Sequence, residues 1–241
     1  MSMIIIDKLM DKYMNEAIQN IDVSFIDPIF KKLIEFNKND DIIKNNVKFL
    51  NSFLMEQYSI EIILCPERSH GITSLEGYIR LFIENTLFAL LRSEPNELLK
   101  TLKALLKHEF THRIHSTKVG KFFNPIQYDS KDKEKYLKNK HEIMSYANQT
   151  IQEFISEGLT KNKILEYLKN SKDYNDLFTF SFSFYAYLRN FWPRHDKRPI
   201  QNYRDRKVLD LYFKYLYQYL DSKYPGMDYD PNFQLKDYHN A

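Results

Sequence analysis

The sequence predicts a mainly helical α+β fold with one small antiparallel sheet, and three observations predict it. Only 5 Gly and 8 Pro interrupt the 241 residues, so long helices can run with few breaks. Apolar residues recur at helical spacings over most of the chain. Between residues 59 and 86 this period gives way to β-branched and aromatic residues, which are typical of strands.

The first part of the chain is expected to be helical throughout. Residues 4–19, 26–37 and 41–57 each carry apolar residues one helical turn apart, with polar residues between them. Pro28 falls near the start of the second of these segments, where a helix tolerates proline.

Two strand-like segments follow, "SIEIILCP" and "SLEGYIRLFIENTLF", separated by "RSHG". The separating residues have turn chemistry, and Gly71 is the residue expected to serve the turn. We therefore predict an antiparallel sheet of two or more strands, packed on the helix that comes next.

That helix is predicted from "SEPNELLKTLKALLKHEFTHRIHSTKVGK". Ser93 is the expected N-cap, Pro95 suits the first turn, and Gly120 is the expected end. A polar loop follows in "NPIQYDSKDKEKYLKNK", and the last residues are expected to be an irregular tail. Four further helices are predicted at residues 140–157, 160–170, 173–192 and 204–222.

The length suits one domain over residues 1–241. Within it we distinguish a helical N-terminal part (1–58), a central part with the sheet and the histidine helix (59–157) and a helical C-terminal part (158–241).

Charge and cysteine content argue against several classes of protein. The net charge is only +3, with 35 basic and 32 acidic residues spread along the chain, so we expect no nucleic-acid surface. The single cysteine, Cys65, excludes an internal disulfide and is expected to be a small buried thiol in a reducing compartment. The start, "MSMIIIDKLMDKYM", does not resemble a secretory signal, and no segment is apolar enough to span a membrane. We expect a cytoplasmic protein without a membrane partner.

The segment "HEFTH" places His108 and His112 four residues apart on one face of the predicted helix. Two imidazoles at this spacing can bind one tetrahedral metal ion, and zinc is the metal expected. Glu109, about 100° round the helix, is expected to accept a proton from the attacking water. His115 lies a further turn along, too far to join both histidines at one metal, and is interpreted as structural or supporting.

A catalytic zinc site needs a third protein ligand. Downstream, "NKHEIMSYANQTIQEF" offers Glu142 and His141 at the head of a helix. Either Glu142 or His141 could be that ligand, and Glu142 as an ordinary first-turn acid also fits the pattern.

The combination "HEFTH" plus "EIMSYA" resembles the gluzincin pattern of two His and one Glu. It is most similar to uncharacterised HExxH proteins of phages and large viruses, whose second motif runs approximately Glu-Ile-x-Ala-Tyr-Ala. The resemblance covers about residues 59–157, and Ser145 departs from it where Ala is usual. It implies a zincin-like fold, Glu142 as third ligand, and a location in the host cytoplasm or virion. A metzincin is not indicated, because Lys118 stands where that pattern requires His.

The function predicted is therefore a zinc-dependent metallopeptidase acting on a peptide or protein substrate. The alternatives are a catalytically silent zincin-like binding protein and a helical interaction protein in which the motif is accidental. Donors to the developing oxyanion are sought in the C-terminal half of the chain. The candidates are Tyr146, Tyr185, Arg189, His195 and Tyr203.

Overall fold

The computed structural model describes residues 16–37, 43–67, 69–74, 76–119, 133–170, 181, 183–184, 187 and 203–223. The chain divides into two compact units, Met1–Pro125 and Ile126–Ala241. The described residues are mainly helical with one small sheet, which confirms the α+β class. None of the described helices is both long and apolar enough to cross a bilayer.

The first unit combines helices with a three-stranded sheet. Its elements are α1 (Ile26–Asn37), α2 (Ile43–Tyr58), β1 (Ile60–Cys65), β2 (His70–Thr73), β3 (Ile79–Glu84), α3 (Asn85–Ala89) and α4 (Pro95–Val119). Helices α1 and α2 confirm two predicted helices, whereas most of the predicted helix 4–19 lies outside the described residues. Helix α4 begins at Pro95, so Ser93 lies one residue too early to be its N-cap, and Gly120 is not described.

The sheet is mixed rather than antiparallel, which corrects the sequence prediction. The strand order is β1-β3-β2, with β1 parallel to β3 and β2 antiparallel to β3. Strand β3 is central, and Ile79, Leu81 and Ile83 along one of its faces are fully buried. The hairpin therefore forms between β2 and β3, whereas the two strands expected to pair in an antiparallel way, β1 and β3, are parallel.

The turn of this hairpin uses a glycine six residues after the glycine that was expected to make it. Ser74 N donates to the Tyr78 carbonyl at 2.8 Å, and Gly77 has a left-handed φ of 82°. Gly71 instead lies inside β2, opposite Leu81. Cys65 ends β1 and is half-buried rather than buried, its thiol donating to the Glu67 carbonyl at 3.1 Å.

At the outer edge of β1, one side chain forms the backbone hydrogen bonds that a neighbouring strand would otherwise form. The Asn51 amide nitrogen on α2 donates to the Ile62 carbonyl at 2.9 Å, and Ile62 N donates to the Asn51 amide oxygen at 2.8 Å. Both backbone groups of a buried residue are thereby satisfied. One edge of the sheet is thus closed at its middle.

Helix α4 packs against β2 and β3, which confirms the predicted packing of the sheet on the histidine helix. Its apolar stripe includes the fully buried Leu98, Leu102 and Leu106. Arg113 fixes its far end, with Nη2 donating to the Tyr58 carbonyl at 2.9 Å and the guanidinium over the Phe110 ring. Burial lowers the pKa of Arg113.

The second unit is a helical assembly with a tyrosine-rich core. Its described helices are α5 (Lys133–Leu137), α6 (Lys140–Ser156), α7 (Lys161–Asn170) and α8 (Tyr203–Lys223). The latter three confirm predicted helices, while α5 falls in the predicted loop. Most of the predicted helix 173–192 and the tail lie outside the described residues. Helices α6 and α8 pack together, and the Tyr212 hydroxyl shares a 2.7 Å hydrogen bond with Thr150 between them.

Candidate metal centre

The two histidines of "HEFTH" approach one another on one face of α4. Because they are four residues apart on an α-helix, their side chains lie on the same face. His108 Nε2 and His112 Nε2 are 3.1 Å apart, and the ring centroids are 4.9 Å apart. His108 is buried and His112 partly buried.

This spacing fits a shared metal ion. Zinc–nitrogen bonds of about 2.0–2.1 Å at a tetrahedral angle separate two nitrogens by about 3.3 Å. The observed 3.1 Å is within a few tenths of an ångström of that value. Imidazole nitrogens that converge in this way are suited to bind one cation.

Glu142, the third ligand expected from the sequence, is a buried carboxylate of the second unit. It lies in the first turn of α6, whose N-cap is Asn139; the Asn139 side chain accepts a 2.9 Å hydrogen bond from His141 N. The Glu142 side chain is only 6% exposed. A buried carboxylate at the head of a helix is one of the ligand types that zinc accepts beside histidine.

Glu109 lies next to the first histidine and is held by strand β2 of the same unit. It is 2% exposed. The Thr73 hydroxyl lies 2.6 Å from Glu109 Oε2 and 3.1 Å from the Glu109 carbonyl oxygen. A β-carbon placed on Gly71 would overlap Cγ, Cδ and Oε1 of the same side chain. Strand β2 therefore contacts the carboxylate with a hydroxyl on one side and a bare α-carbon on the other.

The register of the hairpin shows which backbone groups of β2 face the open edge. Ser74 pairs with Tyr78 through a hydrogen bond, and such pairs alternate along an antiparallel ladder. Ile72 and His70 therefore face β3, whereas the N–H and C=O groups of Gly71 and Thr73 point away from it. No described residue pairs with these outward groups, so β2 is an open edge of the sheet beside Glu109.

Two other histidines named from the sequence, His115 and His141, lie in the described part of the chain. His115 is fully buried on α4, with its ring centroid 6.4 Å from that of His112. His141 is half-buried beside Glu142, and its carbonyl accepts a 2.9 Å hydrogen bond from Ser145.

Of the oxyanion candidates, Tyr146 is the one whose side chain is described. It lies one turn after Glu142 on α6, and its ring is 5.0 Å from that of Tyr187. Burial raises the pKa of Tyr187, as do the nearby Tyr212, Tyr146 and Glu142, so this phenol stays neutral. The Tyr187 hydroxyl donates to the Leu137 carbonyl at 2.9 Å. The other candidates, Tyr185, Arg189, His195 and the side chain of Tyr203, lie outside the described part of the chain.

Thr73 and Gly71 are the site residues that sequence reasoning missed. A glycine inside a strand often marks the close approach of another group, and Gly71 in "SHGIT" carries that signal. Because Gly71 was assigned to a turn, this signal of a close approach was not recognised. Nothing local indicates Thr73, because its partner is 36 residues away.

Comparison with known proteins identifies no relative of this chain. No protein-family model matches it, and neither a curated protein nor a solved structure gives a significant match.

Proposed function

We propose that this protein is a zinc-dependent metallopeptidase. The observation that carries the proposal is the 3.1 Å approach of His108 Nε2 to His112 Nε2 on one helix face, with the buried carboxylate of Glu109 next to His108 in the chain. The buried Glu142 is the third ligand in this proposal. Two histidines and one glutamate leave a fourth tetrahedral position open, which is the ligand number of catalytic rather than structural zinc sites.

The metal contributes Lewis acidity. Zinc held by these three side chains would polarise the peptide carbonyl and lower the pKa of water at its open position to about 7.

Glu109 acts as the general base and transfers the proton. Its carboxylate takes a proton from the attacking water as the new carbon–oxygen bond forms at the peptide carbonyl. The same proton then passes to the amide nitrogen as the carbon–nitrogen bond breaks, so the products are a carboxylic acid and an amine. The carboxylate regenerates without a net change.

The substrate in this proposal is an extended peptide added to the open edge of β2. The outward backbone groups of Gly71 and Thr73 can pair with a peptide in the manner of another strand. The edge of β1 is less suited to bind a peptide, because Asn51 already forms hydrogen bonds with the N–H and C=O groups of Ile62. Binding at β2 would bring a peptide carbonyl next to Glu109, which contacts the same strand.

Glu109→Gln tests the mechanism. The variant is expected to keep its zinc and to lose peptide hydrolysis by at least about 100-fold, because an amide cannot act as the base. Hydrolysis is followed by mass spectrometry on an unstructured protein and a peptide library. Glu97→Gln, a change at a partly exposed carboxylate on the same helix, is the matched control and is expected to keep full activity.

Two results would count against the proposal. Full hydrolysis by Glu109→Gln would refute the assigned role of this carboxylate. Zinc binding without hydrolysis of any peptide by the wild-type chain would favour the silent binding protein.

A further inference from the structure

We infer that Thr73 is a positioning residue for Glu109, anchoring Oε2 so that Oε1 is the oxygen that exchanges the proton. The inference deepens the proposed function and depends on it. It assigns a role to an edge-strand hydroxyl that belongs to neither the ligand set nor the proton-transfer group.

The first support is the hydrogen bond itself. The hydroxyl lies 2.6 Å from Glu109 Oε2, in the range of a strong bond from a hydroxyl to a carboxylate. The longer 3.1 Å approach to the Glu109 carbonyl places the same hydroxyl against the helix backbone. Threonine is stiff at χ1, so the hydroxyl is held in place. The bond occurs in a region where Glu109 is 2% exposed, so little water competes for it.

The second support is the asymmetry of the two carboxylate oxygens. Oε2 is engaged by Thr73, while Oε1 lies against the α-carbon of Gly71, where any side chain would overlap it. Strand β2 therefore holds one oxygen through a hydrogen bond, while the other fills the place that a side chain on residue 71 would occupy. A carboxylate fixed in this way needs no reorientation at the moment of proton transfer.

A third support links the anchor to the substrate. Thr73 is one of the two residues of β2 whose backbone groups face the open edge. The same residue thus contacts the base through its side chain and offers its backbone to a peptide. Alignment of the peptide and orientation of the base are set by one strand.

The test compares Thr73→Val, which keeps the shape and removes the hydroxyl, with Thr73→Ser, which keeps the hydroxyl. We expect Thr73→Val to lower kcat about 10- to 100-fold with KM within about twofold of wild type, because only the orientation of the base is lost. Thr73→Ser is expected to restore kcat to within a few-fold of wild type. Thr86→Val, at an exposed threonine, is the matched control. An unchanged kcat in Thr73→Val, or an equal loss in Thr73→Ser, would overturn the inference.

A second measurement does not depend on activity. Thermal unfolding of the metal-free protein is compared for Thr73→Val, Glu109→Ala and the double variant. We expect Thr73→Val to lower Tm in the wild-type background and to have a clearly smaller effect once Glu109 is truncated, where only the 3.1 Å contact with the carbonyl of residue 109 remains. Equal penalties in both backgrounds would overturn the contact.

The two measurements separate the failure of this inference from that of the proposed function. If the wild-type chain hydrolyses no peptide, the proposed function fails, and the positioning role in hydrolysis fails with it even if the unfolding experiment detects the contact. If the wild type is active and Thr73→Val is equally active, the inference alone fails.

Discussion

A single added methyl group at Gly71 should disturb the base and leave the metal ligands in place. In Gly71→Ala the new β-carbon would overlap Cγ, Cδ and Oε1 of Glu109, and no other residue is among its nearest neighbours. The backbone at Gly71 is not left-handed, so alanine is compatible with the local conformation. The penalty therefore comes from one side chain, which must leave its buried position.

The expected size of this effect follows from overpacking. Forcing a well-packed, buried side chain out of its place costs about 1–3 kcal/mol. For a chain of this length, a penalty of about 2 kcal/mol lowers Tm by about 4–8 °C. Hydrolysis should fall by about 100-fold or more, because a displaced carboxylate cannot reach the attacking water. Zinc content should stay at the wild-type level, because the three ligand side chains keep their positions.

The assay combines thermal unfolding, zinc content and peptide hydrolysis for three proteins: Gly71→Ala, Glu109→Ala and the double variant. Truncation of Glu109 removes all three atoms that the new methyl group would meet. The added alanine should therefore lower Tm in the wild-type background and leave it almost unchanged in the Glu109→Ala background. A Tm penalty of equal size in both backgrounds, or a fully active Gly71→Ala, would refute this reasoning.

Two further predictions concern stability. Asn51→Ala should lower the free energy of unfolding by about 2–4 kcal/mol, because the buried N–H and C=O of Ile62 lose their partners. Chemical denaturation measures this change, and a loss below about 0.5 kcal/mol would contradict the prediction. Burial raises the pKa of Glu153 above 4.5 even though Ser181 and Ser183 donate to its carboxylate. Folding therefore favours the protonated form, and stability from this group is lost as pH rises above about 4.5. The Tm of Glu153→Gln minus that of wild type, both measured without metal, should increase as pH rises above about 4.5. A difference independent of pH would contradict this.

Helices were predictable because their signal is local. The apolar period over residues 26–37, the leucines of α4 and the period over 204–222 each define one buried face within a few turns. The spacing of His108 and His112 is local in the same sense, and it sufficed to predict that their rings converge.

Strand order was not predictable in this way. Residues 60–65 and 79–84 were identified as strands, yet their parallel pairing depends on which strand the rest of the unit buries most completely. The contact of Thr73 with Glu109 joins residues 36 positions apart, and no spacing within either segment indicates it. The choice of Glu142 over His141 as ligand likewise came from a resemblance, since adjacent residues at a helix start have no local feature that separates them.

The central claim is that His108, His112 and Glu142 bind one metal ion. Elemental mass spectrometry on tag-free protein, after zinc supplementation and dialysis, tests it most directly. We predict one zinc per wild-type chain, loss of most of it in His112→Ala and in Glu142→Ala, and retention in the matched control His141→Ala. Loss in His141→Ala but not in Glu142→Ala would move the third ligand to His141. A wild-type chain without zinc would contradict the account.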